Sequence, residues 1–180
     1  MKKKIGIVAE KLSHSLSPII HNYWIKVNKI DAEYVCFEIG PNEIHQFYKD
    51  FKKDNNFLGF NITVPYKENF FRICENLNDR AEKIGSINLV YKKNKTVYGD
   101  NTDYIGFAKT YKKLVKKKID KILLIGAGGA ARSILQYLND EEINRIDIFA
   151  RTLNKKRTLS NSMKFNNFII DSKELLNKHY

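Results

Sequence analysis

Residues 121–125, Lys-Ile-Leu-Leu-Ile, run without a gap into Gly126, Ala127, Gly128, Gly129, Ala130 and Ala131, after which apolar residues recur at helical spacing as far as Leu138. A strand that feeds a helix through so short a glycine turn is the opening of a βα unit, and this places the chain among α/β folds. The pattern reads G-x-G-x-x-A. Gly126 permits the tight turn, Gly128 lets backbone approach a pyrophosphate, and the small Ala131 allows close helix–strand packing, while the helix N-terminus offers free N–H donors. An ordinary glycine-rich turn needs none of this, and the strand and helix on either side favour a dinucleotide site.

The units around this turn are consistent with it. Residues 145–149 read as a second strand, 155–164 as a weaker helix and 167–171 as a third strand, one βαβαβ half of a doubly wound sheet. Upstream, strands are expected at 5–9, 34–39 and 57–64, with helices carrying Ile19, Ile20, Tyr23, Trp24 and Val27, then Ile44, Phe47, Tyr48 and Phe51. A helical stretch should follow Pro65 to about residue 76. Short strands at 86–91 and 96–98 suggest a hairpin around Lys93 and Asn94, and 104–115 reads as a helix. The charged stretch at 116–120 marks the expected boundary, giving an N-terminal α/β domain at 1–118 and an incomplete Rossmann-type domain at 119–180.

Composition narrows the partners. The formal charge is +12 over 180 residues, which invites nucleic acid, yet the lysines are strewn in short runs at the edges of apolar segments rather than gathered on one element. Nucleic-acid binding is therefore not expected. Cys36 and Cys74 are too few and too far apart for a disulfide framework, so a reducing, cytoplasmic setting fits. The run at 5–9 is stopped by Glu10, too short for a signal peptide, and no stretch approaches the ~18 apolar residues of a membrane span. No metal-ligand cluster stands out.

Beyond the second strand of the glycine unit, an NAD site would place Asp or Glu about 20 residues past the glycines. This chain offers Ala150, Arg151 and Thr152, with Lys155 following, and Asp147 lies inside the strand. Arg151 can stack on adenine and pair with a 2′-phosphate, so NADP is favoured. Near the start, His14-Ser15-Leu16-Ser17-Pro18 precedes a helix. Ser17 before Pro18 makes a good N-cap, which leaves Ser15 without a capping role. In Asn61-Ile62-Thr63-Val64-Pro65-Tyr66-Lys67, Asn61 and Thr63 share one face of a strand end and Lys67 follows the proline. Ile84-Gly85-Ser86-Ile87-Asn88 and Gly99-Asp100-Asn101-Thr102-Asp103 add turn-rich polar segments, where Asp103 is in place to cap the next helix.

Singly these blocks are weak. In order they resemble the shikimate dehydrogenase family: H-S-L-S-P at 14–18, N-I-T-V-P-Y-K at 61–67, G-S-I-N at 85–88, D-N-T-D at 100–103, G-A-G-G-A-A at 126–131 and A-R-T-L-N-K at 150–155. The resemblance covers about residues 5–155. It implies a substrate domain followed by an NADP domain, and reversible reduction of 3-dehydroshikimate to shikimate on the route to chorismate and the aromatic amino acids. Carried over by position, Ser15 and Ser17 hold the substrate carboxylate, Thr63, Asn88 and Asp103 bind its ring hydroxyls, and Lys67 and Asp103 form the catalytic pair. The block from Gly126 to Ala131 cradles the pyrophosphate, while Arg151, Thr152 and Lys155 hold the 2′-phosphate. The resemblance allows a homodimer and implies no nucleic-acid or membrane partner.

Two departures qualify it. The family usually has Asn where this chain has Ala150, which removes one amide contact near the 2′-phosphate. The family pattern also continues past the third cofactor-domain strand, so a chain of 180 residues is expected to hold half of that domain. Two other readings remain: an NAD-linked quinate/shikimate dehydrogenase and a shikimate-binding remnant without turnover.

Overall fold

The computed structural model describes residues 2–117, 119–143, 145–151, 159 and 163–170. The described chain packs as two compact units, one of residues 1–81 and 87–100, the other of 82–86 and 101–180. In the first, β1 (Lys3–Ala9), α1 (Ser17–Val27), β2 (Ala32–Glu38), α2 (Ile44–Lys53), β3 (Phe57–Ile62) and α3 (Lys67–Ile73) alternate, with a 3-10 turn at Pro41–Glu43. The short helix α4 (Asp79–Ile84) leads to the hairpin β4 (Leu89–Lys93) and β5 (Thr96–Asp100).

The five strands lie in the order β2-β1-β3-β4-β5, parallel from β2 to β3 and antiparallel thereafter. The change of direction follows from the connections. Crossover helices return the chain to the end of the sheet where the previous strand began, so the next strand runs parallel, whereas a two-residue turn can only reverse it. That turn is Asn94 and Lys95, both at positive φ, as hairpin turns matched to strand twist require. Gly59 on β3 must be glycine, because an added Cβ would lie 2.7 Å from the Val90 carbonyl oxygen of β4.

The larger core lies on one sheet face, and a smaller cluster of Ile7, Ala9, Leu12 and Tyr34, with Ile25 of α1 packed on it, lies on the other. Ile44, Tyr48 and Phe51 recur along one side of α2 and meet Phe57, Phe60, Ile62, Phe70 and Val90, an aromatic cluster with rings edge to face at about 5 Å. On α1 no residue is buried. Its Ile19, Tyr23 and Val27 are 69, 63 and 58% exposed.

The second unit contains α5 (Asp103–Leu114), β6 (Ile122–Ile125), α6 (Gly129–Asp140), β7 (Ile146–Phe149) and β8 (Asn167–Ile169), with the strands parallel in the order β6-β7-β8. The packing divides between Asp100 and Asn101, ahead of the charged stretch at 116–120. Tyr104, Phe107 and Tyr111 on α5 surround the buried ring of Tyr137 on α6, at 5.6, 5.4 and 5.5 Å between centroids, so α5 is held in this unit by its aromatic face. The expected helix at 155–164 lies largely outside the described residues.

Candidate functional site

In open α/β sheets, ligands bind beyond the carboxyl ends of the strands, where loops fan out over the edge. The first unit has such a place. After β1, the loop is pinned by the Leu12 amide, which donates to Glu38 Oε1 at 2.7 Å, and by the Ser15 amide, which donates to the Leu12 carbonyl at 2.9 Å. After β3, the Thr63 amide donates to the Val8 carbonyl at 3.2 Å, carrying the ladder one residue past the strand. These anchors bring Ser15, Ser17 and Thr63 together on a cavity of about 520 Å³, which Lys11, His14 and Ile7 also line. Three hydroxyls converging on one cavity suit a polyhydroxy ligand.

The capping roles differ from the sequence expectation. Helix α1 begins at Ser17 with no side-chain cap from it or from Leu16. Instead Ser15 Oγ accepts the Ser17 amide at 3.3 Å, so Ser15 does the capping while still lining the cavity. Behind this wall stands Tyr34 of β2. The Asn22 side chain clamps its backbone from both sides, each bond 2.9 Å, and His21 stacks on its ring at 4.2 Å. The Tyr34 phenol donates to Asn61 Oδ1 at 2.9 Å. Burial pushes that phenol up to about 12, against the Ser17 hydroxyl, which hydrogen-bonds to it. The roles of Tyr34 and Asn22 have no local signal in the sequence, because they come from pairing β2 with α1 and β3.

Lys67 is the first residue of α3 and half-buried, its carbonyl accepting the Ile87 amide at 3.2 Å. Asn88 is buried. Its amide donates to the Asp100 carbonyl at 3.0 Å and its carbonyl accepts the Ile62 amide at 2.8 Å, which fixes it beside the end of β3. Arg80 Nη2 reaches both carboxylate oxygens of Asp100, at 2.8 and 3.0 Å, and so braces the same strand end. Neither Lys67 nor Asn88 lines the cavity of the three hydroxyls.

In the second unit, Asp103 is the first residue of α5, with Thr102 at the N-cap position making no side-chain cap. The cap comes from Asn101, whose Oδ1 accepts the Tyr104 amide at 3.3 Å. At the glycine turn, Gly126 has φ +109°, a conformation open to glycine, and Gly128 stands extended at the N-cap of α6. An added Cβ at Gly126 or Gly128 would meet nothing within 4 Å, so the structure leaves room beside both. That open backbone before the N-terminus of a twelve-residue helix fits a pyrophosphate. Ala127 and Ala131 are buried in the core of the unit, Ala130 is exposed, and Gly129 begins the helix.

Past the end of β7, Ala150 is buried and Arg151 exposed. Thr152 and Lys155 lie outside the described residues. Asp147 is buried within β7, where Asn167 Nδ2 donates to it at 2.7 Å. Among the described residues no group of three His, Cys, Asp or Glu side chains could hold a metal ion, and no helix is long and apolar enough to cross a membrane.

The family model for the shikimate dehydrogenase substrate binding domain matches residues 7–90, and that for shikimate / quinate 5-dehydrogenase matches residues 108–179. The NADP(+) shikimate dehydrogenase of Aquifex aeolicus is 35% identical over 170 residues, 94% of this chain and 62% of that protein. Shikimate dehydrogenase 1 of Peptoclostridium difficile superimposes with a TM-score of 0.87 at 31% identity, over 98% of this chain and 64% of the other. A shikimate 5-dehydrogenase of Listeria monocytogenes, solved in complex with shikimate and NAD, gives 0.79 at 29%, over 97% of this chain and 64% of the other. The chain thus spans a little over 60% of the length of these three proteins. With both family models matching in sequence order, the chain belongs to the shikimate dehydrogenase family.

Proposed function

We propose that this chain takes part in the reversible, NADP-linked reduction of 3-dehydroshikimate to shikimate, the first unit taking the substrate and the second the cofactor. The observation that carries this reading is the convergence of Ser15, Ser17 and Thr63 on one cavity beyond the carboxyl ends of β1 and β3. In this reading Ser15 and Ser17 take the carboxylate, and Thr63, Asn88 and Asp103 take ring hydroxyls. NADPH, when bound, supplies the hydride for the carbonyl carbon. Lys67 stabilises the negative charge that grows on the carbonyl oxygen and delivers the proton, and Asp103 orients that exchange. Gly126, Ala127, Gly128, Gly129, Ala130 and Ala131 hold the pyrophosphate by backbone N–H groups. Arg151, with Thr152 and Lys155, takes the 2′-phosphate, and the burial of Asp147 against Asn167 supports NADP over NAD. Such an enzyme serves the route to chorismate and aromatic amino acids. Cys36 and Cys74, both free, suit a reducing cytoplasm.

Calorimetric titration with shikimate, with and without NADP+, tests the reading. Shikimate binding is expected, and Thr63→Val should weaken it about tenfold, the worth of a hydrogen bond made in a desolvated site. Arg151→Ala should weaken NADP+ by a similar factor and leave NAD unchanged. Where turnover is measured, Lys67→Ala or Asp103→Ala should lower it by about 100-fold or more. A folded chain that binds no shikimate would overturn the proposal.

A further inference from the structure

The second unit contains a buried polar cluster that the proposed chemistry does not use. Asn101 is fully buried, as are Ser86 and Ser133. Asn101 Nδ2 donates to the Ser86 carbonyl at 2.9 Å and to Ser86 Oγ at 3.3 Å. Its Oδ1 accepts Ser133 Oγ at 3.0 Å and the Tyr104 amide at 3.3 Å. Ser86 Oγ and Ser133 Oγ both reach the carbonyl of Gly129 at 3.2 Å. Nearby, Arg132 Nη1 donates to the Gly85 carbonyl at 3.0 Å.

The donors and acceptors permit one orientation of the Asn101 amide. The Ser86 carbonyl needs a donor and the Tyr104 amide needs an acceptor, so flipping the carboxamide would set oxygen against oxygen and N–H against N–H. A buried amide with both ends satisfied is costly to disturb, since each orphaned group loses its bond without regaining water. The partners are also specific in place. The Tyr104 amide belongs to the first turn of α5, which begins at Asp103. Gly129 and Ser133 belong to the first two turns of α6, whose N-cap is Gly128 of the glycine turn.

We infer that Asn101 is a positioning residue: through Ser86 and Ser133 it fastens the start of α5, and with it Asp103, to the first turns of the glycine-turn helix, so that both are held as one rigid element. The inference rests on the reading of Asp103 as a catalytic group and of the glycine turn as the cofactor site. Its consequence is that occupancy of the glycine turn is felt at Asp103 through Asn101. Ordering the first turn of α6 holds Gly129 and Ser133 still, which holds Asn101 and hence the Tyr104 amide that it caps.

Hydrogen exchange of individual amides, read by NMR on the full 180-residue chain with and without NADP+, tests this. In the wild type, NADP+ should slow exchange at Arg132 in α6 and also at Tyr104 in α5, the latter by at least about fivefold, a coupling in the usual range between linked sites. Asn101→Ala should abolish the response at Tyr104. Because that variant removes a buried cap and can fail to fold, Ser133→Ala provides the milder cut: the response at Arg132 should persist while that at Tyr104 shrinks. A general loss of stability would speed exchange throughout and would not uncouple these two amides. An undiminished response at Tyr104 in either folded variant, or none in a wild type that binds NADP+, would overturn the inference. If the wild type binds no NADP+, the cofactor reading fails separately. Basal exchange then decides the fastening: faster exchange at Tyr104 and Arg132 in Ser133→Ala with the amides of β7 unchanged supports it, and rates at Tyr104 that are unchanged, or raised only in step with those of β7, overturn it.

Discussion

At the scale of single residues, Tyr34 shows how a side chain behind the proposed substrate cavity shapes its wall. Its phenol has one proton, given to Asn61, and lone pairs that face the Ser17 hydroxyl. Tyr34→Phe removes that proton and leaves the Asn61 carbonyl in part-buried surroundings without it. The expected cost is about 1–2 kcal/mol of stability by denaturant titration, together with weaker shikimate binding as Ser17 and Asn61 lose their orientation. Unchanged stability and unchanged binding would both have to be seen for this role to be dismissed. Residues such as Ser15, Thr63 and Gly126 were legible in the sequence because motif spacing places them on a strand end or a turn regardless of the rest of the fold. Asn101 was visible only as part of a polar turn. Two of its partners, Ser86 and Ser133, are 15 and 32 residues away, and no local pattern announces such pairs. Asp103 illustrates the opposite error: an Asp at a helix start reads as a cap, yet Asn101 accepts the amide that a cap would take.

At the scale of elements, the strands and helices α2 and α6 follow the apolar periodicity, since a half-buried element must repeat its core-facing residues, whereas the apolar repeat of α1 marks a helix but lies on its exposed side. Helix α4 carries no such signal. Its six residues, Asp-Arg-Ala-Glu-Lys-Ile, are too few to establish a stripe, and its buried Ala81 and Ile84 are one helical step apart. The junction of α1 with β2 carries a pH dependence. His21 stacks flat on Tyr34, and burial lowers its pKa below the ordinary 6.5. Above that value both folded and unfolded chains are neutral at this site, and stability is independent of pH there. As pH falls through 6.5 the unfolded chain takes up the proton first, so stability falls until the folded pKa is passed. Melting curves taken across this window should show the decline in the wild type and a flatter profile in His21→Phe, which keeps the stack without the titration. Equal slopes would assign the acid sensitivity to other groups.

At the scale of the molecule, the first unit has a filled aromatic core on one face of its sheet, and on the other a helix whose apolar side faces outward. Leu16, Ile19, Tyr23, Trp24 and Val27 are each more than half exposed, which makes α1 the place where an apolar probe should bind. The fluorescence of an anilinonaphthalene sulfonate dye should rise with the wild type and lose most of that rise in an Ile19→Glu, Tyr23→Glu double variant. The melting temperature should change little, because neither side chain contributes to the core. An unchanged dye signal would place the apolar surface elsewhere.

The membership of α5 in the second unit bears on how such proteins can be recombined. A chimera joined within the lysine run at 116–117 would separate Tyr104, Phe107 and Tyr111 from the Tyr137 ring they enclose, and would strip the Asn101 amide from Ser133. A junction between Asp100 and Asn101, with residues 82–86 exchanged as well, keeps both sets of partners from one parent. The acidic residue at the head of α5 would then be inherited with the glycine turn rather than with the loops that carry Ser15, Ser17 and Thr63, so exchanging cofactor modules would exchange half of the proposed proton machinery too.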